Sequence, residues 1–592
     1  MKGRNVLGDR KASLRRLDKE QHWRICCVLA LLFPAAAPAF AQGLPSAGAL
    51  QVSPIPRMAP PETPRVEPGL QGLPTGPLIN TAPEQPVAVT DVAVEGVTVY
   101  PTAEIDPLVA GLVGPAVSLR QVEAGRLALV RKYRDDGYPL VVVQATRNAK
   151  GLLRFVVFEG RIAEVKLDGD IGPAGTQVLR FLQRLTESRP IDAASLERWL
   201  LLAQDVPGVG LQAVLRPSDT EPGALTLIAS VRRTAYSGVL SVDNRAYKLT
   251  GPAEGLAILD LNSFTSLGER TTLNLFHSAN STQIFGQAST EVFVGASGLK
   301  VRLYAGAGNT TPSGFLNQVG YNGDTTIAGL QVSYPLIRAR QQTLNLVANL
   351  DALDSEVTTQ FPGTPAAVAS KDSLRVLRAG ADYALQDLVA GETRPAVNGV
   401  SVRLSRGLAS LGATIETATP ARVGAKADFT KVVGEISRNQ TLFAPWSGAS
   451  VSLLALAAGQ GSADVLPPVE KFFLGGSRYT RGYYSGEVSG DSGVALTAEL
   501  QLTTSHNVTV FGNQIDIGTQ YYLFYDYGQT WQNVRADPNM TLRSAGLGLR
   551  ISMTQYLEID LEGVRRFTLN PDGVGTSRLP VDAFYFGALV RF

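Results

Sequence analysis

Cysteine is almost missing. The two in the chain, Cys26 and Cys27, sit side by side at the start of a short apolar run, and none follows. A disulfide framework and thiol chemistry are thereby excluded from the rest of the chain, even in an oxidising compartment. Histidine is nearly as scarce, with 3 in all. Beyond the N-terminal segment only His277 and His506 remain, far apart and with no cysteine nearby, which gives no metal-ligand spacing. No apolar run reaches the about 20 residues that a membrane-spanning helix needs. A charge excess is missing too: the net charge is +2, with +5 in residues 1–41 and so −3 in the rest, which leaves no footprint for nucleic acid. No glycine-rich phosphate loop precedes a helix. Gly490-Asp491-Ser492-Gly493 looks like a serine-nucleophile loop, but a nucleophilic serine needs a positioned base. The two remaining histidines have no protease signature around them, so the run reads as a turn. These absences exclude an enzyme and call for no cofactor and no metal.

What the chain does contain changes character along its length. Residues 1–24 hold eight Lys or Arg, Ile25–Phe33 is a short apolar run, and Ala39-Phe40-Ala41 is a small-x-small cleavage site, so residues 1–41 read as a secretory signal. Residues 42–86 hold eleven prolines, which bar both helices and central strands and suggest a semi-rigid linker.

From Val87 to Arg233 the pattern is mixed. Val92–Val99 reads as a strand, Thr102–Leu112 and Leu119–Asp136 as helices, and Pro139–Val143 and Leu152–Phe158 as strands. A second unit repeats the order, with a strand at Ile162–Leu167, helices at Gly175–Leu185 and Ala193–Ala203, and strands at Leu211–Leu215 and Leu225–Arg232. Two β-α-α-β-β modules, 87–161 and 162–233, follow, each with a helical pair over a three-stranded sheet whose edges can accept another strand.

Residues 234–592 have almost no helical periodicity. Leu547, Leu549 and Ile551 alternate with Gly546, Gly548 and Arg550; Leu557, Ile559 and Leu561 alternate with Glu558, Asp560 and Glu562. One apolar face and one charged or small face, repeated over about sixteen runs, is the signature of a transmembrane β-barrel with an aqueous interior. A soluble β-sandwich would not need so many strands, nor end on Phe584, Phe586, Ala588, Val590 and Phe592. Inside this pattern lies an irregular stretch, 460–491, containing Gly475-Gly476-Ser477-Arg478-Tyr479-Thr480-Arg481-Gly482-Tyr483. Loops longer than about 15 residues are uncommon unless functional or disordered. On the later run Tyr521–Gln529, Tyr522, Phe524, Asp526 and Gly528 face away from Tyr521, Leu523, Tyr525 and Tyr527. An acid on the non-lipid face of a membrane strand needs a cation, and Arg481 is a candidate.

Two resemblances carry these readings further. Tyr133-Arg134-Asp135-Asp136-Gly137-Tyr138 with Glu159-Gly160-Arg161 resembles the first polypeptide-transport-associated (POTRA) module of two-partner-secretion transporters, and Asp205-Val206-Pro207-Gly208 resembles the second. The stretch Gly475–Tyr483 with Phe524-x-Asp526-x-Gly528 is similar to the paired signatures of the BamA-like superfamily of outer-membrane transporters and insertases. The chain thus resembles haemolysin secretion/activation proteins of the ShlB/FhaC/HecB type. The resemblance implies an all-β transmembrane barrel of about 16 antiparallel strands with two N-terminal periplasmic α+β POTRA modules. It implies that loop 460–491 folds into the lumen and that Arg481, with Tyr483 in the aromatic position of the motif, bonds the inward acid Asp526 on the wall beside Phe524 and Gly528. The expected localisation is the outer membrane of a Gram-negative bacterium, with a monomer in outer-membrane lipid. The expected partner is a large secreted exoprotein, an adhesin, cytolysin or toxin, captured by the modules and conducted through the barrel. An insertase that assembles other barrels is the alternative.

Overall fold

The computed structural model describes residues 86–218, 221–415, 420–510, 513–571 and 578–592; the expected signal and nearly all of the proline-rich linker lie outside the described residues.

The first module contains β1 (Val87–Val89), β2 (Asp91–Glu95), a helix at Thr102–Val109, β3 (Gly114–Val117), a helix at Leu119–Asp135, β4 (Val142–Arg147) and β5 (Leu152–Phe158). Ser118 and Gln121 form a reciprocal capping box that starts the longer helix. Gly137 ends it at φ +91°, with the Tyr138 amide donating to the Tyr133 carbonyl at 2.8 Å and the Gly137 amide to Arg134 at 3.1 Å, a Schellman closure. That reversal explains one difference from the sequence reading. The strand expected at Pro139–Val143 begins only at Val142, because the intervening residues turn the chain back. A second difference is the small β1–β3 pair beside the main β2-β5-β4 sheet. Strand β2 stops at Glu95 because Gly96 has φ +83° and approaches the Val157 carbonyl so closely that a Cβ would lie 2.2 Å from it.

The second module repeats the design with β6 (Arg161–Asp168), helices at Ala174–Gln183 and Ala193–Gln204, β7 (Val209–Pro217) and β8 (Ala224–Arg233). Its sheet order, β6-β8-β7, matches the first: the last strand lies in the middle, parallel to the first and antiparallel to the second.

The remaining strands close into a barrel of sixteen antiparallel staves. They are β9 (Tyr236–Asp243), β10 (Glu254–Asn262), β11 (Arg270–Ser278), β12 (Gln283–Phe293), β13 (Lys300–Thr310), β14 (Asn322–Arg338), β15 (Gln342–Thr359), β16 (Ala367–Asp387), β17 (Ala396–Gly407), β19 (Thr430–Phe443), β20 (Ala449–Gly461), β23 (Ser492–Val510), β24 (Asn513–Trp531), β25 (Met540–Met553), β26 (Leu557–Arg566) and β27 (Asp582–Arg591). The two-residue β18 (Thr414–Ile415) lies outside this count, and β21 (Phe472–Leu474) and β22 (Val488–Gly490) belong to the long loop. Closure leaves no strand edge in the hydrocarbon. The seam, β27 on β9, has five residue pairs, from Gly587↔Asp243 to Arg591↔Val239. It is extended by the Asn244 side chain, which accepts from the Phe586 amide at 2.9 Å and donates to the Phe584 carbonyl at 3.1 Å, replacing a missing backbone rung.

The two faces of each stave differ as the alternation requires. Along β24, Tyr521, Leu523 and Tyr525 are exposed, whereas Tyr522, Phe524 and Asp526 are buried. Inward aromatics lie flat over glycines of the next strand. A Cβ at Gly548 would sit 2.2 Å from the Tyr522 ring, and one at Gly329 2.4 Å from Tyr304. Gly548, read from the sequence as a lumen-facing small residue, is therefore covered. The tyrosines reach across those glycines to acids one strand further on: Tyr522 donates to Asp560 at 2.7 Å, and Tyr304 hydrogen-bonds Asp351.

Candidate functional site

The loop between β20 and β23 turns into the barrel. Gly475 and Gly476, at φ +100° and +90°, make the entry turn, and a Cβ on Gly475 would lie 2.0 Å from the Tyr484 carbonyl. The Gly475 amide donates to the Thr480 hydroxyl at 2.8 Å, and that of Gly476 to the Tyr483 carbonyl at 2.9 Å. These bonds fold Gly475–Tyr483 on itself. Thr480 is buried and held at φ +51°, uncommon for a β-branched residue. It delivers Arg481 to the wall.

Arg481 meets Asp526 of β24 through three donors: its backbone amide at 2.8 Å, Nε at 3.1 Å and Nη2 at 3.1 Å. The Phe524 ring lies 3.8 Å beneath the guanidinium, a cation–π contact. Gly528 completes the seat, because a Cβ there would come 2.7 Å from both Leu474 and Thr480. Gly482 packs against Ser544 with no room for a side chain, and its carbonyl accepts from Arg566 at 2.5 Å and from Tyr585 at 3.0 Å. Tyr483 is fully buried, its hydroxyl donating to the Arg543 carbonyl at 2.7 Å and accepting from the Thr568 amide at 3.0 Å. The structure thus brings all the loop and wall residues singled out in the sequence into one cluster.

Sequence reasoning missed half of that cluster. Arg481 also pairs with Glu499 of β23, and Arg550 of β25 holds the same carboxylate at 2.7 Å. Arg245, just beyond β9, donates to the Arg481 carbonyl at 2.8 Å and to Glu562 at 2.8 Å. The signal was available in principle: Glu499, Arg550, Glu562 and Arg566 are all charges on inward positions of alternating strands, and each needs a partner. Three more loop residues are tied elsewhere, by four ion pairs. Glu470 is held by Lys431 at 2.7 Å and Arg378 at 2.6 Å, Arg478 by Glu435 at 2.7 Å, and Asp491 by Arg422 at 2.9 Å. Asp491 belongs to the turn that resembled a nucleophile loop, and it serves there as an anchor.

The module residues separate into two groups. In module 1, Tyr133 donates to Glu159 at 2.7 Å, and the same carboxylate accepts from the Thr98 amide at 2.7 Å, the Thr98 hydroxyl and the Val99 amide at 3.2 Å. Burial alone would raise the Glu159 carboxyl; these hydrogen bonds outweigh it and hold the group below its ordinary value. Tyr138 packs edge-on to Tyr133 at 6.2 Å. Gly160 leaves no space for a Cβ, which would lie 2.4 Å from the Leu140 carbonyl, and Arg161, where β6 begins, pairs with Glu221. In module 2, Asp205, Pro207 and Gly208 lie at the barrel rim, remote in sequence from the residues they touch. Asp205 takes Arg338 in a bidentate pair at 2.7 and 2.8 Å, and the Pro207 carbonyl accepts from Ser263 at 2.7 Å. A Cβ on Gly208 would lie 2.3 Å from the Thr234 carbonyl.

Comparison with known proteins gives a consistent picture. The family model described as haemolysin secretion/activation protein ShlB/FhaC/HecB matches residues 226–551, and the ShlB-type POTRA domain matches residues 87–160. The heme/hemopexin transporter protein HuxB of Haemophilus influenzae is 23% identical over 470 residues, covering 76% of this chain and 78% of its own length. The outer membrane transporter CdiB of Escherichia coli is 24% identical over 201 residues, 32% of this chain and 34% of its own. Among solved structures, CdiB from Escherichia coli superposes with a TM-score of 0.65 at 18% identity, over 92% of this chain and 95% of the other. CdiB from Acinetobacter baumannii gives 0.57 at 15% identity, over 99% and 100%.

Proposed function

Because the chain belongs to the haemolysin secretion/activation family ShlB/FhaC/HecB, whose members are transporters, we propose that the clamped loop and the two modules together carry one large exoprotein across the outer membrane. The chain is an outer-membrane transporter of two-partner secretion, with its POTRA modules in the periplasm. What we add is how the parts divide the work. The modules capture the unfolded cargo by strand addition at a free sheet edge, where main-chain hydrogen bonds supply affinity without requiring a particular sequence. The cargo then threads the lumen in extended form, and its own folding outside prevents return. The transporter works as a monomer seated in outer-membrane lipid, on a cargo of adhesin, cytolysin or toxin type.

The observation that supports this reading best is the buried Arg481–Asp526–Glu499 cluster. It holds a long loop inside a closed polar-walled barrel without crossing a strand edge, so the loop can shift while the staves stay paired. The test is deletion of the gene followed by fractionation. One large secreted protein should accumulate in the periplasm and reappear outside on complementation; an unchanged secretome would overturn the reading.

The five-pair seam favours a second reading, an insertase that opens between β27 and β9. Ser241 and Leu589 face each other across it, so Ser241→Cys with Leu589→Cys can lock it. Secretion that survives the lock identifies a transporter with a closed seam, and loss of barrel assembly in the cell identifies an insertase.

A further inference from the structure

Module 2 does not hang from the barrel by its linker alone. It meets three successive periplasmic turns, and the contacts include core packing as well as surface pairs. Phe293, the last residue of β12, is 3% exposed and belongs to the same apolar cluster as Phe181, Leu182 and Leu202 of module 2. Its ring stands edge-on to Phe181 at 5.1 Å. The core of this module is therefore completed by the barrel. Around that contact the polar groups match. A bulge between Pro335 and Ile337 breaks the ladder of β14 with β15, and a bulge leaves backbone groups unpaired. Arg198 of the module fills the gap, donating to the Pro335 carbonyl at 2.9 Å. Beside it Asp205 takes Arg338, and Glu197 accepts from the Arg340 amide at 2.7 Å and pairs with the Arg340 guanidinium at 3.7 Å.

We infer that module 2 is a fixed collar on the barrel rim, with Asp205 and Glu197 as residues that position it for cargo hand-over, and that transport proceeds without movement at this joint. The physical reason is cost. Tilting the module would expose Phe293 and Phe181, unseat Arg198 from the bulge carbonyls and separate two ion pairs together, and none of these losses is made good by the motion itself. A partly exposed pair such as Asp205–Arg338 adds little stability alone, but its bidentate geometry fixes orientation. The inference rests on the secretion reading above.

The absence of cysteine from residues 42–592 makes a direct test available. A Cβ on Gly268, in the first of the three turns, would lie 3.1 Å from the Cβ of Gln177 in the module; the usual disulfide separation is about 3.8 Å, so the turn, where Gly268 holds φ +60°, must give by several tenths of an ångström. Gln177→Cys with Gly268→Cys should therefore staple the collar to the barrel in the oxidising periplasm, with each single cysteine as its control. The stapled transporter should export cargo as well as its reduced form. The collar is loosened from the barrel side alone by Phe293→Ala, Arg338→Ala and Arg340→Ala, which leave both modules' sequences intact. Those changes should lower export several-fold with the barrel still inserted, and adding the staple should restore it until reductant is supplied. A purely structural or cargo-contacting role would not be rescued by a covalent bond placed elsewhere on the joint. Failure of the staple to form, export blocked by the staple and released by reductant, normal export from the loosened chain, or no rescue would each overturn the inference. If instead the deletion strain exports as the parent does, it is the secretion reading that fails, whatever the staple does.

Discussion

Two of the ionic joints in this molecule, one in the lumen and one at the rim, are built oppositely. The joint in the lumen is dry: Asp526 is fully buried, Arg481 is 6% exposed and Glu499 1%. The joint at the periplasmic rim is wet, with the side chains of Arg338 and Asp205 about a fifth to a quarter exposed at 21% and 26%. A dry pair gains its hold less from attraction than from what separation leaves behind, an unpaired charge with no water to take it. A wet pair is solvated either way, so it contributes geometry rather than stability. The loop is thus held by a penalty on release, and the collar by a set of orientations.

Breaking the dry joint should have the largest effect. Arg481→Ala leaves Asp526 with its cation gone, whereas Glu499 keeps Arg550; removing one side of a buried pair typically costs about 3–5 kcal/mol. Protease accessibility of the loop should rise and the ratio of exported to retained cargo should fall, with the barrel still inserted. Asp526→Ala added to Arg481→Ala should be no worse than Arg481→Ala alone, because the second charge is already unpaired; Asp526→Ala by itself should be milder, since Arg481 keeps Glu499. Additive losses would mean the contact is not direct.

The wall behind the loop offers a sharper comparison of its two faces. Leu547→Arg puts a charge on the lipid side, at 62% exposure, and should cost roughly 2–4 kcal/mol near mid-membrane. Gly548→Ser, one residue on, adds only a hydroxymethyl group but drives it into the Tyr522 ring, and overpacking of this kind costs about 1–3 kcal/mol. Urea unfolding of the inserted barrel should rank the three chains in that order, parent above Gly548→Ser above Leu547→Arg. A silent Gly548→Ser would show that Tyr522 is free to move off the glycine.

Module 1 lies between the dry and wet cases, and acid is the way to probe it. The Glu159 carboxyl is held below its ordinary value by Thr98, Tyr133 and Val99, so its stabilisation is complete above the unfolded value of about 4.3 and is lost as pH falls through the lower folded value. Protection of module 1 amides, relative to their intrinsic exchange rates at each pH, should therefore fall on acidification, and Glu159→Gln should flatten that dependence. An acid profile unaltered by the substitution would place the sensitivity in other groups.

The smallest effect on stability is expected at the wet joint. Asp205→Asn should change unfolding of the barrel by less than about 1 kcal/mol and should be milder in high salt, where the parent pair is already screened. A loss as large as that from Arg481→Ala would make the rim as dry as the lumen and remove the contrast.

Much of the molecule is determined by local pattern alone. Alternation with period two pointed to about sixteen runs, the number of staves that close, and the helix–strand order pointed to two like modules, because side-chain direction along a strand or helix is a property of neighbouring residues. Arg481 and Asp526 could be matched because an inward acid needs a cation and the family resemblance marks Arg481 among the cations of the loop. Tertiary structure alone decided the rest. Glu499, Arg550 and Arg245 become partners only when strand register brings β23, β25 and the end of β9 to one level of the lumen. Gly548 reads as open space until Tyr522 of the neighbouring strand lies on it. Asp205 was legible as part of a motif, but its partner, Arg338, lies beyond five barrel strands, at the end of β14, whose position depends on barrel closure. Phe293 ends a wall strand, and its place in the core of module 2 follows from how the module and the barrel meet. Sequence period sets which way a side chain points; what it meets there depends on register and closure, which no single stretch of chain contains.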